Sequence, residues 1–357
     1  MYISSRKDAF LKLGQTINNL LNHYTLNEPL PDYLENYYHR FVELVINAPN
    51  TNPWFNEESV IQVLKVIVND LKEENIDNCL AYLKNKKDTK IIVAAILSGN
   101  KPVYGFLEMF AVLLSGNCFH GKLTANDNHL LIFLAELLMD IEPEFKNRIV
   151  FVEDQLKKFQ GVIANDYKVS PEYLYKYFNK YPHIIHRRKY SAAVITGSED
   201  LETLENIGKD IFMYFGRTVY NISKLYIPAN YDIARFFKAL EKYRYVSDYS
   251  KYANQYEYYK SVYLLNKVNH FDNGFLILRN STDLAAPVGV VNYEFYDSKQ
   301  EALNKLENNF HKLESIVGQD FNHALRIDPG TASTKCMCKK TRFLSTINFL
   351  THLEKIV

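Results

Sequence analysis

The chain has 357 residues, 47% hydrophobic and 23% charged, with a formal net charge of +1. That is enough sequence for two domains around substantial cores, and it carries no general electrostatic drive toward nucleic acid or an anionic membrane. No signal-peptide pattern opens the chain, no apolar run is long enough to span a bilayer, and four cysteines without framework spacing suit a reducing compartment. A cytoplasmic location is the expectation.

Residues 1–83 read as helical. Phe10, Leu13, Ile17, Leu20 and Leu21 recur at helical spacing, as do Val60, Val63, Leu64, Ile67 and Leu71. Asn56, followed by two glutamates, has the form of an N-cap. From Lys90 the pattern changes to strand, turn and helix. Ile91–Leu97 (IIVAAIL) reads as a parallel strand buried on both faces. A helix follows over 104–114, then a short strand ending near Leu123, and a helix over 129–139 capped by Asn126. Further strands are expected at Ile149-Val-Phe-Val and Gly161-Val-Ile-Ala.

A second unit begins near Ser191. It has strands at 192–196, 224–227, 274–278 and 288–293, and helices at 199–214, 231–243 and 298–313. Alternation of this kind predicts parallel sheets covered by helices. The expected organisation is an N-terminal helical region (1–89), a Rossmann-like domain (90–190), a second α/β domain (191–325) and a C-terminal return (326–357).

Several ordered motifs resemble one family. Tyr214–Pro228 (YFGRTVYNISKLYIP), Asn52-Pro-Trp-Phe, Leu97-Ser-Gly-Asn-Lys-Pro, Leu113-Leu-Ser-Gly-Asn, Asn179-Lys-Tyr-Pro-His-Ile-Ile, Lys251-Tyr-Ala-Asn-Gln-Tyr and Asp272-Asn-Gly-Phe-Leu match, in order, motifs of the long-chain acyl-CoA reductases. That family is the luciferase-system (LuxC-type) branch of the aldehyde dehydrogenase superfamily. The resemblance implies an α/β, aldehyde-dehydrogenase-like fold: a Rossmann-like nucleotide-binding domain, a catalytic-type α/β domain and an N-terminal helical region. It also implies reduction of a fatty acyl-CoA to an aldehyde with NADPH, through a cysteine thioester and an oxyanion held by an asparagine.

Carried over position by position, the nucleophile falls on Val219 and the oxyanion-hole asparagine on Asn100. A turn residue beside a glycine is the alternative account of Asn100. Lys122 falls where the superfamily carries a lysine at the end of a Rossmann strand. Asn165-Asp166-Tyr167 stands in place of the family's Thr-Gly-Ser, which approaches the cofactor diphosphate. Valine has no lone pair to attack a thioester, and a carboxylate and a phenol in a diphosphate loop repel and obstruct. The family's motif near the C-terminus has also changed, to Cys338-Lys-Lys-Thr-Arg-Phe-Leu-Ser-Thr.

Loss at three separate segments points to a retired active site with no tight cofactor binding. Such a chain is expected to act as a structural or regulatory partner of an active paralogue or an acyl-handling enzyme. The alternatives are an NADPH-dependent reductase working through a rearranged site, and a non-catalytic module that binds acyl-CoA. A homodimer or heteromer is expected, through a β-compatible edge at 346–353 (TINFLTHL). Val219 and Asn100 are expected to face each other across a cleft. Thr218 and Ser223 lack a nearby histidine to serve as base, and Cys118 reads as a buried thiol. Cys336-Met-Cys338 lacks zinc-ribbon spacing, so no metal is expected. His183 to Lys189 reads as a basic, solvated loop.

Overall fold

The computed structural model describes residues 1–83, 88–97, 100–123, 129–153, 155–165 and 171–356. The chain divides into two compact units, Met1–Arg187 with Cys336–Val357, and Arg188–Lys335.

The first unit opens with four helices: α1 (Ile3–Leu26), α2 (Glu35–Thr51), α3 (Glu57–Asp70) and α4 (Glu73–Ala81). The helical spacing of Phe10, Leu13, Ile17, Leu20 and Leu21 puts these side chains into the core, each at most 2% exposed. Asn56 caps α3 by accepting the Ser59 N–H at 3.0 Å. The fully buried Arg6 donates to the Leu114 carbonyl at 2.8 Å, so one guanidinium ties α1 to the end of a neighbouring helix.

The unit also contains a sheet of β1 (Ile92–Ile96), β2 (Cys118–Lys122), β3 (Ile149–Phe151), β4 (Gly161–Asn165) and β5 (His183–His186). Its strand order is β3-β2-β1-β4-β5 and every pairing is parallel. That order is the one in which a doubly wound nucleotide-binding sheet is built. The connecting helices are α5 (Phe106–Leu114), α6 (His129–Ile141) and α7 (Pro171–Phe178). The cap expected at Asn126 lies outside the described residues.

Two expectations are corrected in this unit. His183–His186 is not a loop but β5, paired in register with Val162–Asn165 of β4. Its histidines flank Ile184 and Ile185, so a short edge strand is hidden beside a basic run. The segment 346–353 is not a β edge, because it lies within helix α12 (Thr341–Ile356). Phe343, Thr346, Ile347, Leu350 and Leu353 recur at three- and four-residue intervals and are all buried. Alternation in TINFLTHL is weaker than this helical period, and the helix buries the face that an edge strand would have shown.

The second unit carries β6 (Tyr190–Val194), α8 (Leu201–Phe212), β7 (Ile222–Pro228), α9 (Ile233–Leu240), α10 (Ser250–Leu265), β8 (His270–Asp272), β9 (Ile277–Asn280), β10 (Val290–Tyr296), α11 (Lys299–Asn308), β11 (Leu313–Val317) and β12 (Arg326–Ile327). The strand order is β12-β11-β6-β7-β10-β9-β8, parallel except for the antiparallel β8–β9 pair. Asp200 caps α8 by accepting the Thr203 N–H at 2.8 Å. Central strands β6, β7 and β11 are buried on both faces, as parallel strands under helices must be.

Candidate functional site

The loop from α8 to β7 holds an unusual backbone. Tyr214, Phe215 and Gly216 are consecutive left-handed residues, with φ of 52°, 59° and 72°. For tyrosine and phenylalanine this conformation costs roughly 1–2 kcal/mol each, so the surroundings must enforce it. Tyr214 and Phe215 are both buried, and the Phe215 ring packs edge-on against Tyr249 with centroids 4.8 Å apart. At Gly216 an added Cβ would lie 3.2 Å from the Ile211 carbonyl oxygen, and its φ already favours glycine.

Asn221 pins the rest of the loop. Its Nδ2 donates to the carbonyls of Asp210 (3.0 Å), Ile211 (3.3 Å) and Met213 (2.8 Å), the last turn of α8. Its Oδ1 accepts the Thr218 N–H at 2.8 Å and the Thr218 hydroxyl at 2.7 Å. From the neighbouring strand β6, Ser191 Oγ donates to the Val219 carbonyl at 2.8 Å. Val219 thus sits half-buried on a loop whose backbone is fixed on both sides. Neither nearby hydroxyl meets a base. Thr218 is spent on Asn221, and Ser223 donates to the Leu284 carbonyl at 2.8 Å.

Below the loop, Lys224 is fully buried in β7 and forms a 2.6 Å ion pair with Glu294 of β10. It also donates to the Ser281 carbonyl. Burial pushes its ammonium down, against the raising effect of Glu294. On the other side of α8, Asp210 accepts the N–H groups of Gly330 (2.7 Å) and Ala332 (3.0 Å). Burial pushes its carboxyl up to about 7, although those two donors and Lys209 oppose the shift.

In the first unit, Asn100, Lys122 and Asn165 gather at one edge of the sheet. Asn100 follows β1, Lys122 ends β2, and Asn165 ends β4. Asn100 is 4% exposed and Asn165 is 5% exposed. Asp166 and Tyr167 lie outside the described residues. Carboxyl ends of parallel strands are where open α/β sheets bind ligands. There, an open cleft of about 850 Å³ is lined by Lys122, Phe151, Val152, Glu153, Gln155 and Lys157. Lysine and glutamate at the ends of adjacent strands are groups able to hold phosphate and hydroxyl groups of a ligand.

Elsewhere in this unit, Lys340 lies 3.9 Å from Asp70, and Arg342 forms a 2.5 Å ion pair with Glu108. The thiols of Cys336 and Cys338 are 2.9 Å apart. Among the described residues no three His, Cys, Asp or Glu side chains are arranged to hold a metal ion. Cys118 is buried in β2 and its thiol is pushed up by burial.

This architecture matches solved structures. The chain superposes on aldehyde dehydrogenase 21 of Physcomitrella patens, in complex with succinate, with a TM-score of 0.64 and 12% identity over 94% of this chain and 79% of that one. An aldehyde dehydrogenase from Bacillus cereus, solved as an NAD+ complex, gives 0.61 and 12% over 90% and 72%. The methylmalonate-semialdehyde dehydrogenase of Oceanimonas doudoroffii gives 0.58 and 12% over 89% and 76%. The fold is aldehyde-dehydrogenase-like. No family model matches the sequence. No curated protein matches it. At such identities the likeness establishes the fold alone, and residue roles rest on the motifs and the local geometry. No helix among the described residues is long and apolar enough to cross a membrane.

The motifs of the sequence pointed to Asn100, Lys122, Asn165 and the 214–223 loop. They missed the residues that hold this loop, Asn221, Ser191 and Asp210. Asn221 carries one signal, an asparagine two residues after Val219, in a stretch too polar to be a continuous strand.

Proposed function

We propose that this protein is a catalytically degenerate relative of the LuxC-type acyl-CoA reductases, kept as a structural or regulatory partner of an active paralogue or an acyl-handling enzyme. The observation that carries the reading is the loop at Val219. Strained left-handed residues and a five-bond asparagine clamp are maintained around a side chain that cannot form a thioester. Strain of this kind clusters at functional sites, and here it surrounds an inert hydrocarbon. Thr218 and Ser223 offer no replacement, since each hydroxyl is engaged away from any base.

The proposed cofactor behaviour follows the two ends of the nucleotide. Lys122 and Glu153 would hold the ribose and its phosphate, while in sequence Asp166 stands where the family carries the glycine of its diphosphate loop. A bound nicotinamide would supply hydride. This chain's own residues favour the adenosine half and oppose the remainder, so tight NADPH binding is not expected.

Incubation with a fatty acyl-CoA, followed by intact-mass measurement and an NADPH oxidation assay, tests the reading. The expected result is no acyl adduct and no turnover, together with copurification of an acyl-handling partner from the native source. Acyl-CoA-dependent NADPH oxidation by the unmodified chain would overturn it.

A further inference from the structure

We infer that Cys336 and Cys338 are a redox-active dithiol that closes into an intramolecular disulfide by exchange with a small disulfide such as oxidised glutathione. The inference concerns the first unit alone and does not depend on the state of the Val219 loop. The two sulfurs are 2.9 Å apart. A disulfide bond is about 2.05 Å long, so closure asks the sulfurs to approach by less than about 1 Å.

The backbone holds them there. Cys336 is the residue at which the chain returns to the first unit, and it precedes a 3-10 turn over Met337–Lys339. The Lys339 N–H donates to the Cys336 carbonyl and the Lys340 N–H to the Met337 carbonyl, each at 3.0 Å. The Met337 N–H donates to Oδ1 of Asp70, at the end of α3, at 2.8 Å, and the Met337 side chain is buried. The turn packs on α4, which brings the fully buried Cys79 into the same neighbourhood.

The thiols differ in access. Cys336 is half-buried, while Cys338 is 2% exposed. An oxidant in solution thus meets Cys336 first, and Cys338 stands behind it as the resolving thiol. The exchange balances. Cys336 Sγ loses its proton to solvent and attacks one sulfur of the small disulfide, whose other half leaves as a thiolate and takes up a proton. Cys338 Sγ, losing its proton in turn, attacks Cys336 Sγ of the mixed disulfide, and the second small thiol leaves and is protonated. Two electrons pass from the protein thiols to the small disulfide, which is reduced to two thiols. Burial pushes the Cys336 thiol up to about 12, which keeps its thiolate scarce and makes closure and reopening slow. The held geometry therefore acts on the position of the equilibrium more than on its rate.

The test equilibrates the full chain at about pH 8 with oxidised and reduced glutathione over a range of ratios, followed by alkylation and tryptic digestion. Both cysteines fall on one tryptic peptide, Cys336–Lys339, which on closure escapes alkylation and is two hydrogens lighter than the dithiol form. The disulfide should form in the folded chain at an oxidised-to-reduced ratio at least about tenfold lower than in the same chain unfolded in urea, with Cys79 and Cys118 still free. Cys338→Ser should stop at a glutathione adduct on Cys336, and Cys336→Ser should leave Cys338 unmodified. Equal ratios for folded and unfolded chain, a stable glutathione adduct on Cys336 of the wild type, or a disulfide joining Cys79 to Cys338 would each overturn the proposal. Should a variant fail to fold, the wild-type comparison of folded and unfolded chain decides.

Discussion

Asn221→Ala should destabilise the second unit by about 3–5 kcal/mol, more than any other single truncation in the 214–223 loop. The side chain is 3% exposed and makes five hydrogen bonds, three to carbonyls of the last turn of α8 and two from Thr218. Alanine leaves the Thr218 amide and hydroxyl without an acceptor and three carbonyls without their shared donor. An unsatisfied buried group costs about 1–3 kcal/mol, but the Met213 carbonyl is only partly buried and water reaches some of this set, so the sum falls well short of five full penalties. Asn221→Asp is the informative companion. It keeps an acceptor for Thr218 but points a carboxylate at three carbonyl oxygens, and should be at least as damaging. Thr218→Val removes only the hydroxyl and should cost about 1 kcal/mol. Denaturant unfolding followed by intrinsic fluorescence gives each value, and a double-mutant cycle of Asn221→Ala with Thr218→Val should show a coupling of at least about 0.5 kcal/mol. A loss below about 0.5 kcal/mol for Asn221→Ala would refute the clamp.

Four further outcomes follow from the geometry. Val219→Cys should fold, because the side chain is small and half-buried, and should take an acyl group slowly from an acyl-CoA by mass spectrometry, yet show no NADPH oxidation; turnover from this one change would mean that the cofactor loop is intact. Calorimetric titration with NADPH should show weak binding that depends on Lys122 and Glu153, and tight saturable binding would contradict the role assigned to Asp166. Lys224→Met should lower stability by about 2–4 kcal/mol in denaturant unfolding, since it strips Glu294 of a buried partner while Lys305, 3.2 Å away, still holds it in part. Asp210 has a folded value near 7, above its unfolded one, so its contribution is complete below about pH 4 and is lost as pH rises through 7. Asp210→Asn should therefore flatten the stability profile between pH 4 and 7, and an unaltered slope would count against a buried, proton-holding carboxyl.

The parts legible in the sequence are those where one local signal dominates. IIVAAIL could only be a strand covered on both faces, and it became β1. Asn56 with two following glutamates could start a helix, and it caps α3. The missed elements carry mixed signals. In α10 the buried residues are Tyr252, Tyr256 and Tyr263, whose rings are amphipathic, so the helix shows almost no contrast between its faces. In β5 two isoleucines lie between histidines and beside Arg187, Arg188 and Lys189, and charge hid the strand. Parallel pairing with β4 is a non-local gain that no short window contains.

The site divides along the same line. Motif order could nominate Val219 and Asn100, because the resemblance runs position by position. It could not show how the loop is held, because Asn221 reaches back to Asp210, Ile211 and Met213, and Ser191 reaches across from another strand. On the proposed reading, those contacts explain why the loop would outlast its nucleophile. Replacing a thiol by valine removes a reaction and costs almost nothing in packing, since both side chains are small. Removing Asn221 leaves several buried polar groups unsatisfied and threatens the end of α8 and the start of β7 together. Selection on stability alone would therefore preserve the clamp and the left-handed residues it enforces. A retained loop shape is thus compatible with lost chemistry, since the shape of this loop supplies neither a nucleophile at Val219 nor a held cofactor.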